Sequence, residues 1–252
     1  MTELELLRIV SWAWIGVGVI VAIALLFIVA PYGRHNRGGF GPQLDATAGW
    51  ILIEAPAPLL MLGFFLAAPG LWSSPALVFI LLWLLHYLQR TFVWPLRRRQ
   101  WATTVPLFIV GSAVLFNGVN AYLNGRWLFH LAPVYPWSWL ADPRFLIGVA
   151  LFLAGFAINL HADEVLLRLK RAGGGHQIPV GGLYRWVSCP NYLGEMLEWT
   201  GWALATWSLP GLVFAVWTAA NLAPRALSNH RWYREKFADY PAERRAFIPY
   251  IL

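Results

Sequence analysis

The feature that most limits how this chain can fold is an apolar run at residues 9–30, IVSWAWIGVGVIVAIALLFIVA. It holds 22 residues without a charged side chain, and a helix of about 20 apolar residues crosses the hydrocarbon core of a bilayer. The run lacks a basic leader and a small-residue cleavage site, so we expect a retained helix rather than a signal peptide. Similar runs recur along the chain, and only 12% of its 252 residues are charged. We therefore predict one integral-membrane domain over residues 1–252.

The apolar runs predict an all-α fold with seven transmembrane helices. The predicted spans lie at about residues 8–30, 48–67, 73–95, 104–123, 144–166, 191–208 and 211–226. Only a turn at Ser208, Leu209 and Pro210 separates the last two, which predicts a tight hairpin. Sixteen of the 19 Lys and Arg residues follow odd-numbered spans. The positive-inside rule then predicts an outside N-terminus and a cytoplasmic C-terminus, in a bacterial inner membrane or the endoplasmic reticulum.

Several classes of function are disfavoured by the sequence. The net charge of +7 is explained by this topology, so no nucleic-acid partner is expected, and no obligate protein partner is evident. Cys189 is the single cysteine and permits no intrachain disulfide. The glycines at 173–175 and 181–182 do not follow a strand, which excludes a Rossmann fingerprint. No spacing of His, Cys, Asp and Glu predicts a metal site.

Polar residues inside the apolar segments are candidates for function. In NYLGEMLEWTGW (191–202), Asn191, Glu195 and Glu198 fall at i, i+4 and i+7, on one stripe of a helix. A charged group at the centre of such a helix costs about 2.5–3.5 kcal/mol on insertion scales, so each needs a reason. Four other predicted helices also carry polar groups: Glu54; His86, Tyr87 and Arg90; Asn117 and Asn120; Asn159 and Asp163.

Two explanations of these stripes remain open. Interhelical ion pairs and hydrogen bonds could simply hold the bundle together, for instance between Glu54 and Arg90. A deep polar cavity near the cytoplasmic face is the better account of the whole set, because packing alone does not call for so many carboxylates beside an arginine and a tyrosine. His86 is expected to be a packing residue, and orientation alone could explain the basic run at 97–99.

Five long segments, in the same order along the chain, resemble the steroid 5α-reductase (3-oxo-5α-steroid 4-dehydrogenase) family. The similarity runs from about Tyr32 to Leu252, and the forms SCPNYLGE and NLAPRALSNHRWY look closest to plant-type members. The segments are IEAPAP, LLHYLQRTFVWPL, INLHADEVLLRLKR, IPVGGLYRWVSCPNYLGEMLEWTGWALATWS and NLAPRALSNHRWYREKFADYPAERRAFIPYIL.

The resemblance implies a seven-helix membrane enzyme that uses NADPH to reduce the 4,5 double bond of a 3-oxo-4-ene steroid, with hydride delivered to C5. Glu54 and Tyr87 would polarise the 3-oxo group by donating hydrogen bonds where the oxyanion develops. Glu54 could do so if burial keeps its carboxyl group protonated. An apolar membrane pocket suits a steroid or steroid-like lipid, and membrane lipids are the other expected partners.

The resemblance also implies a cofactor site. Asn191 and Glu195 would bind the nicotinamide end, with Glu198 supporting them from below. Asn229 replaces a His of animal members, and Tyr32 with the Gly-rich loop after it would form a lid. The implied cofactor-binding set is Tyr32, Arg90, Arg98, Asn159, Asp163, Lys170, Asn191, Glu195, Arg225, Asn229 and Tyr233. Within it, Asn159 and Asp163 would hold the adenosine half, Arg98 and Lys170 the phosphates, and Arg225, Asn229 and Tyr233 would close over the nicotinamide and diphosphate.

Other functions stay open at this point. A different enone, enoyl or polyprenol reductase would share much of this pattern. An isoprenylcysteine-type methyltransferase has a comparable C-terminal helix with basic and Tyr-Pro features. The alternative outside enzymes is a lipid carrier, and the nucleotide that the protein binds would distinguish the three classes.

Overall fold

The computed structural model describes residues 1–31, 33–35, 37, 39–68, 70, 72, 74–98, 103–173 and 175–252. The chain divides into two compact units. Unit 1 consists of Met1–Ser11 and Ala30–Phe145, and unit 2 consists of Trp12–Val29 and Leu146–Leu252. Each unit therefore contains part of the N-terminal helix and a continuous stretch of later helices.

Helices make up most of the chain. They are α1 (Glu3–Phe27), α2 (Ala46–Glu54), α3 (Pro56–Ala67), α4 (Ala76–Leu88), α5 (Trp94–Arg97), α6 (Leu107–Arg126), α7 (Pro143–Arg171), α8 (Pro190–Thr206) and α9 (Leu209–Lys236). A π-helical segment at Gln89–Val93 joins α4 to α5, and another at Trp127–Leu131 continues α6. Short 3₁₀ turns lie at Gly33–His35, Trp137–Ala141 and Gly182–Arg185.

Five helical segments of the described chain are long and apolar enough to cross a membrane. They coincide with the first five predicted spans, which confirms a mostly helical, multi-pass membrane protein. The helices α8 and α9 lie where the last two spans were predicted, but α8 has only 17 residues and the C-terminal half of α9 is polar. The count of seven spans and the orientation of the termini stay predictions. The five segments are Glu3–Phe27, Ala46–Ala67, Ala76–Arg97, Leu107–Leu131 and Pro143–Arg171.

Two short strands depart from the predicted all-α fold. Strand β1 (Gln43–Asp45) pairs antiparallel with strand β2 (Thr104–Pro106) in unit 1. Each strand leads directly into a helix, and Asp45 caps α2 by accepting hydrogen bonds from the backbone N–H groups of Thr47 and Ala48. Three residues are too few to show the alternation that predicts a strand, so this pairing could not be predicted from the sequence. The pairing fixes the start of α2 beside the start of α6.

The position of Glu54 follows from a proline. Helix α2 ends at Glu54 and α3 begins at Pro56, because proline has no backbone N–H with which to continue the helical hydrogen bonds. Helix α3 then packs along α6. The indole N–H of Trp83 on α4 donates to the carbonyl oxygen of Ala57 at 3.1 Å. The segment IEAPAP thus puts a carboxyl group at the junction of two helices rather than inside one.

In unit 2, α7 and α8 meet at two pairs of glycines. Gly148 lies against Gly201, and Gly155 lies against Gly194, so the two helices run antiparallel. A Cβ atom on Gly148 would lie 2.7 Å from the carbonyl oxygen of Gly201, and one on Gly194 would lie 2.6 Å from that of Gly155. Only residues without a side chain allow two backbones to come so close.

We expect Gly155→Ala to destabilise the protein, because the new methyl group would meet the backbone of Glu198 and Gly194. Overpacking of this kind costs about 1–3 kcal/mol, so the melting temperature in detergent should fall. The control is Gly111→Ala on α6, where an added Cβ meets nothing within 4 Å and alanine is the better helix former. Equal melting temperatures for the two variants would contradict the close backbone contact.

Candidate active site

Three polar side chains from different helices meet in unit 1. The hydroxyl group of Tyr87 on α4 donates to Oδ1 of Asn117 on α6 at 3.4 Å, and Nδ2 of Asn117 donates to Oε2 of Glu54 at 3.5 Å. Tyr87 is 2% exposed, whereas Glu54 is half-buried rather than fully buried. The two residues predicted to be catalytic are therefore brought together through Asn117, one of the polar candidates for which the sequence suggested no specific role.

Aromatic rings hold Tyr87 in position. Its ring centre lies 4.9 Å from that of Trp83, at an interplanar angle of 31°. The ring of His86 packs edge-on at 4.9 Å, and His86 is itself buried. Because the ring is enclosed on these sides, the hydroxyl group has a defined direction, which is what an oxyanion donor requires.

Two arginines of unit 1 lie over the same tryptophan rings. The guanidinium carbon of Arg90 is 5.0 Å from the ring centre of Trp50, and that of Arg98 is 5.7 Å from it. Both guanidinium carbons lie 5.9 Å from a ring of Trp94. Such cation–π contacts hold a guanidinium group against an aromatic face. Arg90 and Arg98 thus lie against the same pair of tryptophan rings, and their role as cofactor ligands stays a prediction.

A second polar cluster lies where α7 meets α8 in unit 2. Nδ2 of Asn159 donates to the backbone carbonyl of Asn191 at 3.0 Å and to Oε2 of Glu195 at 3.5 Å. Nδ2 of Asn191 donates to Oδ1 of Asp163 at 3.2 Å. Asn159 and Asp163 are buried, and Asn191 and Glu195 are half-buried. The four residues predicted on these two helices therefore form one hydrogen-bonded group.

Glu198 lies deeper in unit 2 than the four residues of this cluster. It is fully buried on α8, next to Trp199, whose ring centre lies 4.0 Å from that of Phe214 on α9. Phe152 on α7 packs edge-on against Trp199 at 5.9 Å. Glu198 thus lies beside an aromatic layer, and the supporting role predicted for it stays a prediction.

The C-terminal tail is tied to the start of α8 by a serine that sequence reasoning missed. The Ser188 hydroxyl lies 2.6 Å from Nδ1 of His230 and 2.6 Å from the hydroxyl of Tyr240. It also donates to the carbonyl oxygen of Arg245 at 3.1 Å. The backbone N–H of Ser188 donates to the same carbonyl at 2.8 Å. The partners are 42 to 57 residues away along the chain, so no local pattern could have indicated them.

The remaining predicted cofactor ligands are less closely grouped. Nδ2 of Asn229 on α9 donates to the hydroxyl of Tyr192 at 3.4 Å. Tyr233 is buried and stacks on Tyr240 with ring centres 5.3 Å apart. Arg225 is half-buried on α9, and Lys170 is exposed near the end of α7. Tyr32 lies outside the described residues.

The cluster of unit 2 fits a nicotinamide nucleotide. A nicotinamide carboxamide and ribose hydroxyl groups each need both donors and acceptors, and the cluster offers two side-chain amides and two carboxylates on one helix pair. It does not fit a metal ion, since no group of three or more His, Cys, Asp or Glu residues in the described part of the chain could hold one.

We expect His230 to make stability depend on pH. Burial, followed by the positive charges of Arg234 and Arg245, lowers the pKa of His230. The contribution of neutral His230 to the free energy of unfolding is therefore present above the pKa of His in the unfolded chain, about 6.5. It is lost as the pH falls towards the pKa in the folded protein, because the unfolded chain binds the proton first. The melting temperature should fall less between about pH 8 and about pH 5 in His230→Gln than in the wild type. His161→Gln, a change of an exposed histidine on α7, is the control, and the same reduced fall in both variants would contradict this assignment.

Comparisons with known proteins identify the family of this chain. The family model described as 3-oxo-5-alpha-steroid 4-dehydrogenase matches residues 103–252. The chain is 44% identical to "Steroid 5-alpha-reductase DET2" of Gossypium hirsutum, over 91% of each chain. It is 40% identical to "3-oxo-5-alpha-steroid 4-dehydrogenase 1" of Bos taurus, over 100% of this chain and 99% of the relative. These relatives are oxidoreductases by name, and the similarity extends through both units. The chain therefore belongs to the 3-oxo-5-alpha-steroid 4-dehydrogenase family.

Proposed function

We propose that this protein reduces the 4,5 double bond of 3-oxo-4-ene steroids with NADPH. The observation that carries the proposal is the cluster of Glu54, Asn117 and Tyr87, which joins an acid and a phenol from separate helices in a chain similar over nearly its whole length to named steroid 5α-reductases. The family assignment favours a reductase over a methyltransferase or a lipid carrier.

The reaction requires hydrogen-bond donors to the substrate carbonyl in unit 1. Conjugate reduction of an enone moves negative charge onto the carbonyl oxygen, and donors that already point at that oxygen lower the barrier most. Tyr87 is such a donor, and Glu54 is a second one when its carboxyl group is protonated. Together they would hold the 3-oxo group and stabilise the developing oxyanion. NADPH supplies the hydride for C5 when bound.

The cofactor would be held by the residues that the resemblance implies. Asn191 and Glu195 would take the nicotinamide end, and Asn159 and Asp163 the adenosine half. Arg98 and Lys170 would meet the phosphates, because a fixed guanidinium and an exposed ammonium group are both suitable partners for phosphate oxygens. Arg90, Arg225, Asn229, Tyr233 and Tyr32 complete the proposed cofactor set.

The proposed setting is a membrane crossed seven times by one domain, residues 1–252. The N-terminus would lie outside and the C-terminus in the cytoplasm, as the distribution of Lys and Arg favours. The membrane would be a bacterial inner membrane or the endoplasmic reticulum. A steroid dissolved in the bilayer would be the substrate, and no nucleic acid and no obligate protein partner would take part.

The proposal is tested by incubating membranes that contain the protein with NADPH and a panel of 3-oxo-4-ene steroids. We expect 5α-reduced products, and we expect NADPH to raise the melting temperature of the purified protein. Stabilisation by S-adenosylmethionine instead would indicate a methyltransferase. Absence of any nucleotide effect together with absence of product would overturn the proposed function.

Tyr87→Phe removes a single hydroxyl group and should leave the fold intact, since the ring contacts with Trp83 and His86 remain. Loss of one oxyanion donor should lower kcat about 100- to 1,000-fold. Binding of NADPH should be retained, because the defect lies in polarising the substrate carbonyl. Glu54→Gln should be milder than Glu54→Ala if the acid acts as a hydrogen-bond donor. Near-normal turnover in both Tyr87→Phe and Glu54→Ala would remove this assignment.

Glu195→Ala should raise the KM for NADPH about 10- to 100-fold, as expected for loss of a hydrogen bond to a charged group. The control is Glu164→Ala on α7, which removes a carboxylate that pairs with the exposed Arg168 at 3.0 Å and contributes little. If Glu195→Ala loses expression but keeps its specific activity, the cluster serves packing alone. A lost preference for NADPH over NADH in Arg98→Ala or Lys170→Ala would identify the partner of the 2′-phosphate.

A further inference from the structure

The side chain of Asn117 makes three hydrogen bonds at the junction of α2 and α3. Its Nδ2 donates to the backbone carbonyl of Ile53 at 2.7 Å and to Oε2 of Glu54 at 3.5 Å. Its Oδ1 accepts the hydroxyl hydrogen of Tyr87. Asn117 is 5% exposed, so these three groups are the surroundings that decide how its amide is turned.

The backbone carbonyl of Ile53 fixes the direction of this amide. A carbonyl oxygen only accepts hydrogen bonds, so the NH₂ side of Asn117 must face it and the oxygen must face Tyr87. The bond to Ile53 is short, whereas the bonds to Glu54 and Tyr87 are 3.5 and 3.4 Å long. Long hydrogen bonds are weak. Asn117 is therefore anchored by the carbonyl of Ile53, and its anchored amide contacts both Glu54 and Tyr87.

We propose that Asn117 is a positioning residue that orients Glu54 and Tyr87 for the substrate carbonyl; this inference rests on the proposed function. Since Oε2 of Glu54 accepts from the amide, the proton of a neutral carboxyl group belongs on Oε1. Since Oδ1 accepts from Tyr87, the phenolic O–H points towards Asn117 in the absence of substrate. A ketone oxygen at ordinary hydrogen-bond distance would then replace Oδ1 as the acceptor. One amide thus prepares both donors.

A packing role makes a different prediction. If Asn117 only caps the Ile53 carbonyl, its replacement costs stability but leaves turnover of the folded protein unchanged. If it positions the two donors, its replacement lowers kcat and leaves the KM for NADPH unchanged, because the cofactor residues lie on other helices. Asn124 provides a matched control on α6. It is also a buried asparagine, and its Nδ2 donates to the carbonyl and the Oδ1 of Asn120.

The first experiment compares kcat, with saturating NADPH and a 3-oxo-4-ene steroid, in Asn117→Leu and Asn124→Leu. We expect about a tenfold lower kcat in Asn117→Leu, the scale of losing hydrogen bonds between neutral groups, and near-wild-type kcat in folded Asn124→Leu. We expect the effects of Asn117→Leu and Tyr87→Phe to combine less than multiplicatively, because the second change removes a donor that the first has already misplaced. Equal kcat in Asn117→Leu and Asn124→Leu, or fully multiplicative effects, would overturn the inference.

Asn117→Asp keeps the shape and gives a second readout if Asn117→Leu does not fold. At neutral pH a carboxylate would face the Ile53 carbonyl and Glu54, so turnover should be low. It should recover towards acid pH as the new carboxyl group gains a proton and can donate again. A pH profile parallel to that of the wild type would overturn the positioning role.

Melting temperatures separate failure of this inference from failure of the proposed function. The Tyr87→Phe and Asn117→Leu cycle should show coupling in stability, measured without substrate. Suppose that the two changes are coupled in stability and that kcat falls strongly in Tyr87→Phe but is unchanged in Asn117→Leu. This result would overturn only the role of Asn117. A wild-type protein that reduces no steroid, or a Tyr87→Phe variant with full turnover, would overturn the proposed function and the inference together.

Discussion

The approach of two backbones at the glycine pairs of α7 and α8 is the constraint on which unit 2 depends. Because Gly148 meets Gly201 and Gly155 meets Gly194, only one antiparallel register satisfies both contacts. That register brings Asn159 within hydrogen-bonding distance of the backbone of Asn191. A shift of the two helices by one residue would separate every polar pair in the cluster. The polar site is therefore a consequence of residues that carry no side chain.

In unit 1, a proline helps to place polar side chains from different helices next to each other. The missing N–H of Pro56 ends α2 at Glu54, and Asn117 from α6 donates to the carbonyl of Ile53 beside that break. Buried backbone groups need partners, so an amide here is useful for folding as well as for chemistry. The same side chain then reaches Glu54 and Tyr87. Structural and functional demands thus converge on Asn117.

The sequence predicts what depends on local periodicity. Apolar length indicates the helices, and spacing along one helix indicates that Asn159 and Asp163, or Asn191 and Glu195, share a face. Pairings between distant segments cannot be predicted in this way. Glu54 and Asn117 are 63 residues apart, and Ser188 contacts Tyr240, which is 52 residues away along the chain. Strand β1 is too short to show alternation. The seven-residue spacing of the glycines on α7 and on α8 is visible in the sequence. Which glycines contact each other cannot be predicted, because that depends on the register of the two helices.

The choice of an amide rather than a charged donor beside Glu54 has a chemical consequence. An arginine held at Oε2 would favour the carboxylate and so remove the hydrogen that an oxyanion donor must offer. An amide N–H can donate to a carboxylate oxygen and to the carbonyl oxygen of a neutral acid, and it favours the carboxylate less strongly than a guanidinium group would. The contact with Asn117 is therefore compatible with either form. Under the proposed function, a ketone substrate would then add to the surroundings that decide the ionisation of Glu54.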